Sequence, residues 1–214
     1  MIDRTYGRIP SPPDSRDFLM AAIVPTPTVT SKLWTPGPVL NQGQTPECVG
    51  YGFEGLLNAS PVRQSYLTAD GIYHAAQAID GDSQPHDGTT VRAGVTVLQK
   101  AGRVASYHWA KSFEDVWTWL LTIGPVVAGT RFYESMEHPN AAGIVTIGGT
   151  VMGGHCYLLT GASISKVRGK RTVRARNSWG AAWGLYGNFW LPEDVLARLL
   201  AEEGEAVAAI EKAA

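Results

Sequence analysis

Cys48, Gln42, His155 and Asn177 are the residues whose types and spacing could do chemistry. A thiol attacks a carbonyl carbon only as thiolate, and a helix amino terminus with a nearby imidazolium lowers a cysteine pKa toward the working range. Cys48 falls in the first turn of a helix expected to begin near Pro46. Six residues upstream, in Asn41-Gln42-Gly43-Gln44-Thr45-Pro46-Glu47-Cys48, the Gln42 amide could stabilise the oxygen that becomes negative during attack, together with the Cys48 N–H. Gly43 and Pro46 allow the tight turn this requires. His155 follows Gly153-Gly154, two small residues that let another chain approach closely, and opens the apolar run Cys156-Tyr157-Leu158-Leu159. Asn177 comes 22 residues later, at the end of a strand-like stretch, and could hold the imidazole in the needed tautomer, with Trp179 keeping water off that bond. Taken singly, each has a plainer reading: a cysteine at a helix start by chance, a solvated loop glutamine, a structural histidine. In series they describe a thiolate, a base, an orienting amide and an oxyanion donor.

The elements that must position these residues change in kind along the chain. Val49, Phe53, Leu56 and Leu57 recur at helical spacing after Cys48, and Gly50, Gly52 and Gly55 in the same helix point to close packing against other backbone. Further helices are expected over 68–79, 90–101 and 113–123. Beyond Gly124-Pro125 the texture becomes β-prone, with strands expected over 126–130, 144–147, 157–163, 172–177 and 188–191. From Glu193 the pattern is helical, with 206–210 open to a last strand. Helices first and strands second give an α+β protein: a helical lobe over about 39–123, a β lobe over about 124–192, a tail over 193–214, and a cleft between the lobes.

Seven of the thirteen prolines lie in residues 1–38, which read as an extended leader lying over the globular part. The chain of 214 residues, 44% hydrophobic and 17% charged, is long enough to bury a substantial core without staples. Its two cysteines form no disulfide framework, so the fold does not demand an oxidising compartment. A formal charge of -1 offers no global field for nucleic acid or anionic membrane. The local basic run Lys166, Arg168, Lys170, Arg171, Arg174 and Arg176, broken by Gly169, reads as a solvated hairpin. Residues 1–18 carry charges and prolines where a secretory signal would be apolar, which places the protein in the cytoplasm or with a virus. No run is long enough to span a membrane, and the sequence leaves the oligomeric state open. His74, His86, His108 and His138 are scattered and receive no role.

Three features together resemble papain-like cysteine peptidases: the six-residue step from Gln42 to Cys48, Gly-Gly-His before a strand, and Asn177-Ser178-Trp179-Gly180 followed by Trp183-Gly184-Leu185-Tyr186-Gly187. Pro12-Pro13-Asp14-Ser15-Arg16-Asp17-Phe18, Asp87-Gly88-Thr89-Thr90-Val91-Arg92 and Gly124-Pro125-Val126-Val127 are similar to the leader, third-helix start and first sheet-lobe strand of prokaryotic and viral members. The resemblance implies a two-lobe fold, a helical lobe with Cys48 and an antiparallel sheet or barrel lobe with His155 and Asn177. It implies endopeptidase hydrolysis of protein or peptide substrates through a thioester acyl-enzyme, with no metal or organic cofactor. It also implies a substrate-binding wall at Gly88 and Gly154, and a leader that covers the cleft. Val49, Glu47 and Thr45-Pro46 depart from papain, and the 107-residue interval from Cys48 to His155 is short, which implies trimmed loops. Cys156 reads as a small buried apolar side chain. A catalytically silent peptide-binding or assembly module and a cell-wall peptide amidase remain as alternatives.

Overall fold

The computed structural model describes residues 4–61, 63–64, 67–81, 88–164 and 169–211. Its helices are α1 (Cys48–Asn58), α2 (Ala69–Asp80), α3 (Val91–Lys100), α4 (Phe113–Thr122) and α5 (Glu193–Ala201). The strands are β1 (Arg8–Ile9), β2 (Lys32–Leu33), β3 (Thr89–Thr90), β4 (Val104–Trp109), β5 (Val126–Tyr133), β6 (Val151–Ile164), β7 (Arg171–Arg176), β8 (Asn188–Pro192) and β9 (Glu205–Glu211). Local chemistry fixes several ends. Thr68 caps α2 by accepting from the Gly71 N–H, and Gly81 closes that helix in the left-handed conformation. Thr90 caps α3, and Ser112 with Asp115 forms a capping box on α4.

The main sheet runs in the order β4-β9-β5-β6-β7-β8 through antiparallel pairs, with β2 added beside β6. It is an open sheet, not a closed barrel. Side chains alternate across it and supply two cores. Val126, Ala128, Tyr157 and Leu159 join one core with α4, α5 and Met20 of the leader. Val127, Cys156, Leu158 and Val207 join the other with α1, α2 and α3. Of the α1 glycines only Gly50 packs closely on other backbone; Gly52 faces a side chain, and Gly55 has only ordinary contact with Leu158. A Cβ on Gly50 would stand 2.2 Å from the Ala69 carbonyl oxygen of α2, and one on Gly52 2.8 Å from Cys156 Sγ.

Three differences from the sequence reading have physical causes. No strand forms over 144–147: Ile144 makes a single bridge to Trp190, and turns at Gly143 and Gly149, both at positive φ, end the pairing on either side. The unanticipated β4 is held by β9, a partner a hundred residues away in sequence. The basic hairpin is less solvated than expected. Arg174 donates to the carbonyls of Trp34 and Thr160, Arg176 donates to Asn188, and Arg171 pairs with Glu193 and Glu114. Lys166 and Arg168 of that run, and His86 and Asp87, lie outside the described residues.

Candidate active site

Cys48 opens α1 and is fully buried. Removal from water dominates its titration and pushes the thiol up to about 11. Main-chain groups of Gly7, Cys156 and Val49 act to lower its pKa but are outweighed.

His155 is also fully buried, on β6. Its Nε2 lies 2.8 Å from Asn177 Oδ1, which also accepts from the Ser178 N–H at 2.8 Å. A main-chain N–H can only donate, so the atom facing both groups is the amide oxygen, and the imidazole must carry its proton on Nε2. That leaves the Nδ1 lone pair as the basic position, and Nδ1 is buried without a hydrogen-bond partner. Trp179 stacks on the imidazole with ring centroids 4.6 Å apart, and Phe132 meets its edge at 5.1 Å. Burial, together with the Arg4 charge, outweighs the bond to Asn177 and lowers the His155 pKa from 6.5 to about 4.

Gln42 joins these residues through Ser178, whose hydroxyl donates to Gln42 Oε1 at 2.6 Å. The two loops are also sewn together through their backbones: Gln42 N–H donates to Ser178 O, Gly180 N–H to Leu40 O, and Asn41 bridges to Trp179. Gln42 Nε2 donates to Thr45 O at 2.8 Å and approaches Thr5 O at 3.5 Å. The Gln42 side-chain amide thus faces a leader carbonyl.

The leader runs through the space between these groups. β1 pairs in parallel with β3, Arg8 opposite Thr89 and Ile9 opposite Thr90, while Thr89 N–H donates to Gly7 O at 2.9 Å. Asp80 braces that wall by accepting from the Thr90 N–H and from both threonine hydroxyls. The glycines are needed for this fit: a Cβ on Gly154 would lie 2.0 Å from the Arg8 carbonyl oxygen, and one on Gly88 2.4 Å from that of Gly7. Tyr6 packs edge-on against His155 and Trp179 and donates to Glu137, and Arg4 lies 4.0 Å from the centre of the Trp179 ring.

Of the residues singled out in the sequence, Gln42, Gly88, Gly154, His155 and Trp179 lie against leader residues 4–8, Asn177 is bonded to His155, and Cys48 is buried beside Cys156 in the helix-side core. Sequence reasoning missed Ser178, Tyr6, Arg8 and Glu205. Ser178 carried a signal in its place beside Asn177. The other three become visible only when residues far apart in the chain meet. Among the described residues no cluster of three or more potential metal ligands occurs, and no helix is long and apolar enough to cross a membrane.

The fold is similar to that of solved cysteine proteases. Xylellain from Xylella fastidiosa matches with a TM-score of 0.74 and 19% identity, over 99% of this chain and 97% of that one. A procathepsin B from Trypanosoma congolense matches with a TM-score of 0.71 and 12% identity, over 99% and 87%. In sequence, an uncharacterized peptidase C1-like protein of Acanthamoeba polyphaga mimivirus is 22% identical, over 89% of this chain and 82% of its own length. No family model matches the sequence. At these identities the likeness establishes the fold: the chain folds as papain-like cysteine proteases do.

Proposed function

We propose, from the papain-like fold and the geometry of the cleft, that the chain is a cysteine-type endopeptidase cleaving protein or peptide substrates. His155 Nδ1 takes the Cys48 proton, the thiolate attacks the scissile carbonyl, and Gln42 Nε2 with the Cys48 N–H stabilises the oxyanion. Imidazolium then protonates the leaving amine, leaving a thioester, and water activated by His155 releases the acyl group. The observation that carries this reading is the single accepting site on Asn177: by fixing the proton on Nε2 it leaves a buried, unpartnered lone pair on Nδ1, one residue before the Cys156 that lies beside Cys48.

The leader is the resting-state cover in this proposal. With it seated, burial pushes the thiol up and the imidazole down, and both shifts oppose the thiolate–imidazolium pair. Its departure readmits water and removes the cause of both shifts. Only the first part of the leader is disposable in this way. Met20 is buried in the core, and Trp34 Nε1 donates to Leu120 O.

The experiment is alkylation of the full chain by an irreversible papain-directed inhibitor, read by mass spectrometry, alongside hydrolysis of casein and of peptidoglycan. Labelling at Cys48 with casein cleavage, both lost in Cys48→Ala, is expected. No labelling of the folded chain, with the leader seated or unseated by Gly154→Ala, would move the assignment to a silent peptide-binding module, and cleavage of peptidoglycan alone would move it to an amidase.

A further inference from the structure

The Asn177 carboxamide is used at one end only. Its oxygen meets His155 Nε2 and the Ser178 N–H, while Nδ2, in a residue only 1% exposed, is buried without a hydrogen-bond partner in the protein. The preceding residue repeats the pattern. Arg176 donates from Nε to Asn188 Oδ1 at 3.0 Å, and its Nη1 is buried with no protein partner. Burial lowers the Arg176 pKa, and no carboxylate acts to restore it. Arg174, two residues earlier and therefore on the same face of β7, is held by the Trp34 and Thr160 carbonyls and the Thr160 hydroxyl rather than by an acid. Its own pKa is lowered by burial and then by the Arg176 charge. Arg171 of the same strand, by contrast, meets both Glu193 and Glu114.

Both unpartnered donors belong to residues that line one recess. Arg176 and Asn177 border it from the end of β7, Gly52 from α1, and Pro36, Pro38 and Leu40 from the segment that leads into Gln42. It offers about 10 Å³ to the centre of a water-sized sphere, which is the room of a single small occupant.

We infer that this recess binds one monovalent anion of chloride size, held by Arg176 Nη1 and Asn177 Nδ2 at the end of the carboxamide that His155 does not use. Both groups are donors, and an anion needs nothing else. A water molecule would accept from both and then require acceptors for its own two hydrogens, which the side chains of Pro36, Pro38 and Leu40 do not supply. A buried guanidinium without a counter-charge is costly, and an anion in so confined a place offsets that cost. Sulfate and phosphate exceed the room. The anion also gives the carboxamide a second anchor, since engaging Nδ2 keeps Oδ1 turned toward His155.

The test uses the full chain in potassium gluconate, titrated with potassium bromide at constant ionic strength and followed by urea unfolding. A bound anion stabilises the folded chain by mass action, so the unfolding constant should fall saturably, roughly tenfold once bromide reaches ten times its dissociation constant. Chloride should act alike and sulfate should not. Arg176→Gln keeps a donor but not the charge and should remove the dependence. Crystals soaked in bromide should show anomalous scattering beside Arg176 Nη1 and Asn177 Nδ2. An unfolding constant that bromide leaves unchanged would overturn the inference, whatever the crystal shows. A bromide dependence of full size in Arg176→Gln would also overturn it, because the anion would then act elsewhere. If Arg176→Gln does not fold, the wild-type map decides: a peak in the recess supports the site, and peaks only elsewhere overturn it. None of these readouts requires hydrolysis, so the site stands or falls separately from the peptidase reading.

Discussion

The two sides of the cleft are prepared to different degrees. On the sheet side, His155, Asn177, Ser178 and Trp179 form a closed set in which tautomer, ring plane and exclusion of water are all fixed by neighbours on β6 and the loop after β7. On the helix side, Cys48 is buried at the start of α1 with its thiol pushed up by that burial, and the Gln42 amide donates to its own loop and faces a leader carbonyl. The proposed base is preorganised, whereas the proposed nucleophile and oxyanion donor are held in a covered state. A rigid sheet can carry a group that must not move, and a helix start bordering an open groove can carry groups that a passing chain must reach.

This contrast can be broken from the sheet side first. His155→Ala removes the only proton acceptor proposed, and Cys48 alkylation at neutral pH should fall by about 10⁴-fold. Asn177→Ala frees the ring and leaves Nε2–H buried without its acceptor. Losing a hydrogen bond to a group that becomes charged costs about 1.5–3 kcal/mol, so kcat should drop roughly 10- to 150-fold with little change in KM. Gly154→Ala acts on the lane itself. The added methyl collides with the Arg8 carbonyl, so the leader should unseat and iodoacetamide labelling should rise by about 5- to 150-fold, the range an overpacking cost of 1–3 kcal/mol implies. Peptide hydrolysis by the same variant should fall, because substrate uses the same lane. If labelling and hydrolysis rise together, Gly154 borders the leader but not the substrate.

The most gradual effect is with pH. His155 has its folded pKa lowered from 6.5 to about 4. Between those values the unfolded chain binds more protons than the folded one, so the stability is full above about pH 6.5 and is lost progressively as pH falls toward 4. The slope contributed by this group approaches about 1.4 kcal/mol per pH unit. Leader release, which returns the imidazole to water, should be favoured over the same window. Urea midpoints from pH 7 to pH 4.5 should fall in the wild type, and less steeply in His155→Gln. Equal slopes in the two proteins would place the acid sensitivity elsewhere.

What could be read in the sequence was whatever is encoded locally. The start of α1 near Cys48, the positions of α2, α3 and α4 and the strands around His155 and before Asn177 follow from spacing and from residues within a few positions. The stretch 144–147 misled because β-prone residues form a strand only when a partner lies alongside, and flanking turns deny them one. β4 was missed for the converse reason, since its partner β9 lies at the other end of the chain.

The sequence by itself determined the chemical inventory and its order: a cysteine at a helix start, an amide six residues before it, a histidine on a strand and an asparagine just past the end of its neighbour. Those choices are made by side-chain type and by the short-range geometry of helices, turns and hairpins. Only the tertiary structure decided that Asn177 Oδ1 is committed to two donors, that Ser178 ties the oxyanion loop to the histidine loop, and that Arg8 meets Glu205 from 197 residues away in a slot shaped by Gly129 and Gly154. Each of these is a contact between segments whose separation along the chain carries no signal of their meeting. The energy that brings them together comes from burying two apolar cores on opposite faces of one sheet, and the polar site is placed where that burial leaves it.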